Sequence, residues 1–414
     1  MRRSLALTVL GTLLVTACST SAPTPVVGSG KPGSPIIVET PSAESRATVT
    51  SLAAAAAGQA LKEGTAAFEA GRDDEAIERL SAAIAVDGGL TDAYAWRGRA
   101  YSSRSREGDA EKAVADANRA IDLDPEHFLG YYVRGSVYSR VRQETRAIAD
   151  FDMAIKLAPN FAPSYSNRGS IYYELGRRTY DPELLRKAEP DFTKTIDLAP
   201  NTFKQAYNNR GRLRWLLGAL TGEAVQLDGA LADFDKAIEI DPRYAVAYGN
   251  RAVVFRDQGQ LEKAQSDANK ALDIDGATAE HLARRCTIHN AARRYDAALV
   301  DCDDAVVKDP KFSQAYADRA AVHLGLNRVE DALLDYSKAI DLESTNAYYF
   351  LERGLAFKRA GRLNEAWYDL ERAARLFPKS PVLLRRAQAG FEGLPTPPRP
   401  SPQAGPSPTA TVRR

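Results

Sequence analysis

The chain has 414 residues and a formal net charge of +1, with 44% hydrophobic and 26% charged residues. A charge this close to zero excludes a general field for nucleic acid or an anionic membrane surface, and the composition is that of a folded protein. Two Met, three Cys and four His leave little material for metal or thiol chemistry.

Arg2 and Arg3 open the chain, and an apolar stretch over residues 5–15 follows. That stretch is too short to span a bilayer, which takes about 20 apolar residues, and has the length of a secretory h-region. Directly after it stands Val15-Thr16-Ala17-Cys18. The segment resembles the lipobox of bacterial lipoproteins. The resemblance implies a signal peptide over residues 1–17, cleaved before Cys18, and a diacylglycerol on the Cys18 sulfur. On the same resemblance Ser19 favours the outer membrane of a Gram-negative cell, facing the periplasm; in a Gram-positive cell the site would be the cell surface. Residues 18–50 begin rich in Pro, Ser, Thr and Gly. They read as a flexible tether that cannot bury enough apolar surface to fold.

From there the sequence repeats itself. Gly135 and Gly169 are one period of 34 apart, and Ala264, Ala298, Ala332 and Ala366 keep the same spacing. The third unit shows the whole pattern: Tyr131, Gly135, Tyr138, Ala147, Phe151, Ala154 and Pro159. In most units an aromatic stands at the fourth position (Tyr94, Tyr131, Tyr165, Tyr207, Tyr248, Tyr316, Phe350) and a small residue at the eighth. Gly within a helix costs about 1 kcal/mol against Ala, so its recurrence predicts close helix approach. Period and pattern resemble the tetratricopeptide-repeat (TPR) family. The resemblance covers residues 57–380 and implies an all-α fold: a right-handed α-solenoid of about nine helix-turn-helix repeats. The expected folded region is 51–393, with a capping helix over 381–393 and a Pro-rich, disordered tail over 394–414.

A charge ladder runs through the units. The seventh position is Arg in eight of them: Arg97, Arg134, Arg168, Arg210, Arg251, Arg285, Arg319 and Arg353. On helix B, at the level an antiparallel hairpin sets beside it, stands Asp116, Asp150, Asp191, Asp233, Asp267, Asp301, Asp335 or Asp369. The first unit has Glu63 and Arg79, the same pair with its sign reversed. The pattern reads as structural Arg–carboxylate pairing, to which the planar guanidinium is suited, rather than as a basic stripe for a ligand.

The fourth and fifth units are longer by seven residues each, close to two helical turns. Asp181-Pro182-Glu183 reads as an N-cap with Pro in the first turn, and Thr221 as the cap of the corresponding helix in the fifth unit. The second unit carries extra residues near 104–108. All fall in the A–B turn on one edge, which suits either a binding role or tolerated loop drift. Cys286 and Cys302 occupy facing positions on helices A and B of the seventh unit; a disulfide and two buried thiols both fit. His289 and His323 recur at one helix A position, without the spacing of a metal site. No nucleophile–base motif or phosphate loop is present, so no enzyme, cofactor or metal function is expected.

What the family resemblance implies for function is protein binding. TPR proteins cradle a peptide or helix of a partner along helices A. The positions so implied are Tyr132, Ser166, Asn167, Ser170, Tyr173, Asn208, Asn209, Arg212, Trp215, Asn250, Arg256, Arg284 and Lys358. The carboxylate clamp of some members is not expected, because Asn208 and Arg212 stand in place of its Lys and Asn, and Glu280 would repel a carboxylate. The expected role is an envelope scaffold for other proteins or peptides, touching the membrane by its lipid anchor alone and binding no nucleic acid. The alternative is capture of a peptidoglycan fragment or another glycan by stacking on Tyr132, Tyr173 and Trp215.

Overall fold

The computed structural model describes residues 43–394. Cys18, the signal segment and the tail after residue 394 lie outside them. Contacts divide the chain into two units, 1–52 and 53–414. In the first, the described residues begin a helix at Ala43, ahead of the expected tether boundary at residue 50; its run of Ala, Glu, Ser and Arg contains no Pro or Gly to stop a helix.

Nineteen α-helices are present among the described residues, and no strand. They form nine hairpins: α1 (Ala43–Glu69) with α2 (Asp73–Val86), α3 (Thr91–Arg104) with α4 (Asp109–Leu123), α5 (Phe128–Arg140) with α6 (Glu144–Leu157), α7 (Ala162–Thr179) with α8 (Pro182–Leu198), α9 (Lys204–Thr221) with α10 (Val225–Ile240), α11 (Ala245–Asp257) with α12 (Leu261–Asp275), α13 (Ala279–Ala291) with α14 (Tyr295–Lys308), α15 (Ser313–Gly325) with α16 (Val329–Leu342), and α17 (Ala347–Arg359) with α18 (Leu363–Leu376). The cap, α19, is Pro381–Gly390. Ser380 begins it by accepting from the Leu383 N–H.

Alanine sets the spacing of this array. Ala147, Ala188, Ala230, Ala264, Ala298, Ala332 and Ala366 are fully buried. Side chains this small let two helices approach closely, and each hairpin buries its remaining apolar face on its neighbours. Gly211 shows how tight the fit is: a Cβ there would stand 2.7 Å from Cε1 of Phe234.

The inner and outer faces follow from the packing. From α3 to α15, helices A of successive hairpins touch one another, whereas no two helices B pack to a like extent. The array therefore bends toward helices A, which form its inner wall.

Sequence reading did not anticipate the closure of the array on itself. The extended ends of α7 and α9 reach the last repeat and the cap. Tyr180 Oη donates to Asn346 Oδ1 at 2.7 Å, and its ring meets Phe377 edge-on at 4.6 Å. Asp181, which caps α8 by accepting from Glu183 N–H at 3.0 Å, also holds the Lys379 ammonium. Ser380 Oγ donates to Leu220 O at 3.2 Å, and Leu383 packs on the cluster of Leu217 and Leu220. Tyr180 adopts φ +51° to make this turn. A non-glycine residue there carries strain of about 1–3 kcal/mol, which these contacts offset. Thr221 is the last residue of α9; its Oγ donates to Leu217 O at 2.8 Å and accepts from the Glu223 N–H at 3.3 Å, but the N-cap of α10 is Ala224, with no side-chain cap bond. The two extra turns thus serve an intramolecular contact. Cys286 and Cys302 are joined by a disulfide across α13 and α14, with Cα atoms 5.5 Å apart.

Candidate functional site

The inner wall is held in place by the charge ladder behind it. Each of the eight arginines lays its Nε–Nη2 edge against both oxygens of its aspartate: Arg134 on Asp150 at 2.9 and 2.7 Å, Arg168 on Asp191 at 2.9 and 2.6 Å, Arg251 on Asp267 at 2.7 and 2.8 Å, and Arg319 on Asp335 at 2.8 Å for both. Arg210 on Asp233, like Arg97, Arg285 and Arg353 on their partners, follows suit. The reversed pair, Arg79 with Glu63, closes to 3.3 Å.

Two features of the ladder were missed in the sequence. The third nitrogen of each Arg crosses to helix B of the preceding repeat, reaching Asn118 from Arg134, Asp152 from Arg168, Thr193 from Arg210, Asp235 from Arg251 and Asp303 from Arg319. These acceptors stand two residues after each ladder Asp, a regularity legible in the repeats once known. The fourth-position aromatics lie beside the same guanidiniums, Tyr131 at 5.6 Å and Tyr248 at 5.4 Å. Tyr131, Tyr165 and Tyr316 donate to the carbonyls of Pro125, Pro159 and Pro310. One Arg therefore ties two hairpins and one loop together. His289 and His323 face Asp301 and Asp335 of this ladder, at 3.6 and 3.7 Å. Among the described residues no cluster could hold a metal ion.

In front of the ladder the expected groove residues divide into two sets. Several are spent on the protein itself. Tyr132 packs against Phe151 and, edge-on at 5.0 Å, against Phe161; its hydroxyl accepts from the Asn167 amide at 3.4 Å. Ser170 bonds to the Ser166 carbonyl one turn back. Asn250 Nδ2 donates to Asn208 Oδ1 at 2.8 Å, and Asn208 in turn to Asn209 at 3.5 Å, so this polar track is internally matched and largely buried. Trp215 donates to Asp257, which also takes the Arg256 guanidinium. Lys358 is drawn away from the groove to cap α19, donating to Gly390 O at 3.0 Å and Glu392 O at 2.6 Å.

The second set is unlike the ladder. Arg212 lies over the buried Tyr173 ring at 5.1 Å and has no carboxylate at ion-pair distance among the described residues. Arg284 lies along Gly249; its carboxylate contact is Glu280, 3.6 Å away and 64% exposed, and His281 Nδ1 is at 3.5 Å. Burial pulls Arg284 below the ordinary guanidinium range and His281 below that of imidazole. Beside them is Asp318, which the sequence reading did not select. It accepts from Gln314 Nε2 at 2.8 Å, and burial pushes its carboxyl up to about 7, against the opposing pull of Arg256 and Arg284.

Fold and wall define a helical-repeat binding protein. TPR family models match residues 61–128 and 102–160 in two overlapping segments, and residues 234–266 in a third. These segments are tetratricopeptide repeats, and they support a general role as a protein-interaction scaffold. No curated protein matches the sequence. Similar solved structures include YrrB, described as a TPR protein with an unusual peptide-binding site, 25% identical, with 47% of this chain and 91% of that one covered and a TM-score of 0.37. A TPR protein from Parabacteroides merdae is 19% identical, covering 64% and 98%, with a TM-score of 0.46. PilF from Pseudomonas aeruginosa is 16% identical, covering 55% and 96%, with a TM-score of 0.45.

Proposed function

We propose that this protein is an envelope scaffold, anchored by a lipid on Cys18, that holds a segment of a partner protein against the inner wall formed by helices A. The observation that carries the reading is the contrast between two sets of arginines. Those of the ladder are all matched by carboxylates behind the wall, whereas Arg212 and Arg284 face the groove with their charge largely unmatched. Aromatic and Arg side chains in desolvated settings are the usual anchors of protein interfaces. Glycan capture gains no such support, because Tyr132 and Tyr173 spend their ring faces on the protein's own side chains.

Two experiments test this. Metabolic labelling with an alkyne fatty acid should mark the wild-type chain and not Cys18→Ala; equal labelling removes the anchor. Cross-linking in isolated envelopes should capture a partner that Arg212→Glu/Arg284→Glu loses and that a change at the exposed Arg243 keeps. Equal capture by all three removes the groove reading.

A further inference from the structure

We propose that the inner wall at Arg212, Arg284 and Asp318 is a site for an acidic peptide segment, and that Asp318 takes up a proton when the segment binds. The inference rests on the groove reading and adds the chemistry of the occupant.

Charge complementarity selects that chemistry. A cation even partly withdrawn from water is costly unless matched, and this chain matches its eight ladder arginines with two-pronged carboxylates. Arg212 and Arg284, both partly buried, have no such two-pronged partner. The Arg284 guanidinium feels three charged neighbours: the exposed Glu280 and Asp318 favour its charge, and Arg212 opposes it. Side-chain carboxylates from an extended segment would supply the missing partners, and guanidinium groups favour such planar pairing.

Besides the exposed Glu280, 3.6 Å from Arg284, Asp318 is the acidic group that opposes an anion here. It forms no ion pair within 4 Å among the described residues, although Arg256 on α11 and Arg284 on α13 face it. Tyr336 on α16 and Tyr348 and Tyr349 on α17 also lie within its field, as neutral phenols whose own titration is pushed up by burial. Its nearest bond is the Gln314 amide on its own helix. The group titrates near neutrality, at about 7. An arriving anion disfavours the carboxylate form further, so binding and protonation reinforce each other. The sign follows: affinity is highest at low pH and falls as pH rises through neutrality. A further rise of about one pKa unit on binding corresponds to roughly fivefold weaker binding at pH 8 than at pH 6.

The test is fluorescence anisotropy with a labelled deca-glutamate peptide against the full-length protein, with deca-lysine and a Gly-Ser decapeptide as comparisons. Deca-glutamate should bind, and the other two should not. Arg212→Gln and Arg284→Gln should each weaken binding about tenfold, with Arg243→Gln unchanged and all circular dichroism spectra superimposable. Asp318→Asn should hold the pH 6 affinity through pH 8. Binding that ignores the Arg changes, or that keeps its pH dependence in Asp318→Asn, overturns the inference. A partner captured through the inner wall in envelopes, with no preference for deca-glutamate, also overturns it and leaves the groove reading standing. Envelope capture indifferent to the inner wall removes both.

Discussion

Arg168 offers a direct measure of what the ladder contributes, because one guanidinium holds two carboxylates in different surroundings. Asp191 is 4% exposed and Asp152 is 53% exposed, while Arg168 itself is 21% exposed. Both contacts are short, 2.6 Å each. Distance alone would rank them equal; solvation does not. An exposed pair contributes about 0–1 kcal/mol, so Asp152→Asn should be nearly silent. Breaking a buried pair costs about 3–5 kcal/mol, because the remaining charge is left unmatched. Arg168 keeps some solvent and keeps Asp152, which places Asp191→Asn near 3 kcal/mol, the low end of that range. Burial raises the Asp191 carboxyl despite the Arg beside it, whereas the pair raises Arg168. Desolvation thus cancels much of the Coulomb gain, and the replacement Arg168→Met/Asp191→Leu should come within about 1 kcal/mol of wild type. Hydrogen–deuterium exchange resolves the matter repeat by repeat, which suits an array whose repeats, the closing contact aside, interact with their neighbours. In Asp191→Asn the amides of α7 and α8 should open about a hundredfold more readily, the equivalent of about 3 kcal/mol. Equal effects from Asp152→Asn and Asp191→Asn would refute the argument.

Three further outcomes follow from other contacts. Lys379→Glu sets two carboxylates together at Asp181, so the closing contact should release; small-angle scattering should show a larger radius, and α19 should lose exchange protection, with the remaining helices unchanged. Gly211→Ala should cost about 1–3 kcal/mol by urea unfolding, since its Cβ would press on the Phe234 ring, whereas Gly58→Ala, with nothing within 4 Å, should stabilise by about 0.5–1 kcal/mol. Replacing both Cys286 and Cys302 by Ser opens a loop of 16 residues and should lower stability by about 3 kcal/mol; alkylation of the unfolded wild-type chain without reductant should label neither cysteine.

Repetition made most of the fold legible. A period of 34 carrying Tyr, Gly, Ala and Pro at fixed offsets determines the hairpin, because each unit meets the same neighbours and so needs the same side chains. The ladder partners were readable for that reason too: antiparallel geometry relates Arg134 to Asp150 through one turn. The third arm of each Arg was not read, since it joins separate hairpins and depends on their stacking offset. The closing contact was beyond reach of any period. Tyr180 and Asn346 stand 166 residues apart, and what brings them together is curvature accumulated over the intervening repeats. The wall shows the same division. Sequence marked Arg212 and Arg284 as groove positions, but only the assembled structure decides that Asn208 and Asn250 satisfy each other, that Lys358 turns away to a helix end, and that Asp318 loses part of its water. Local spacing sets which side chains share a face; desolvation and long-range contact arise from how all the faces come together.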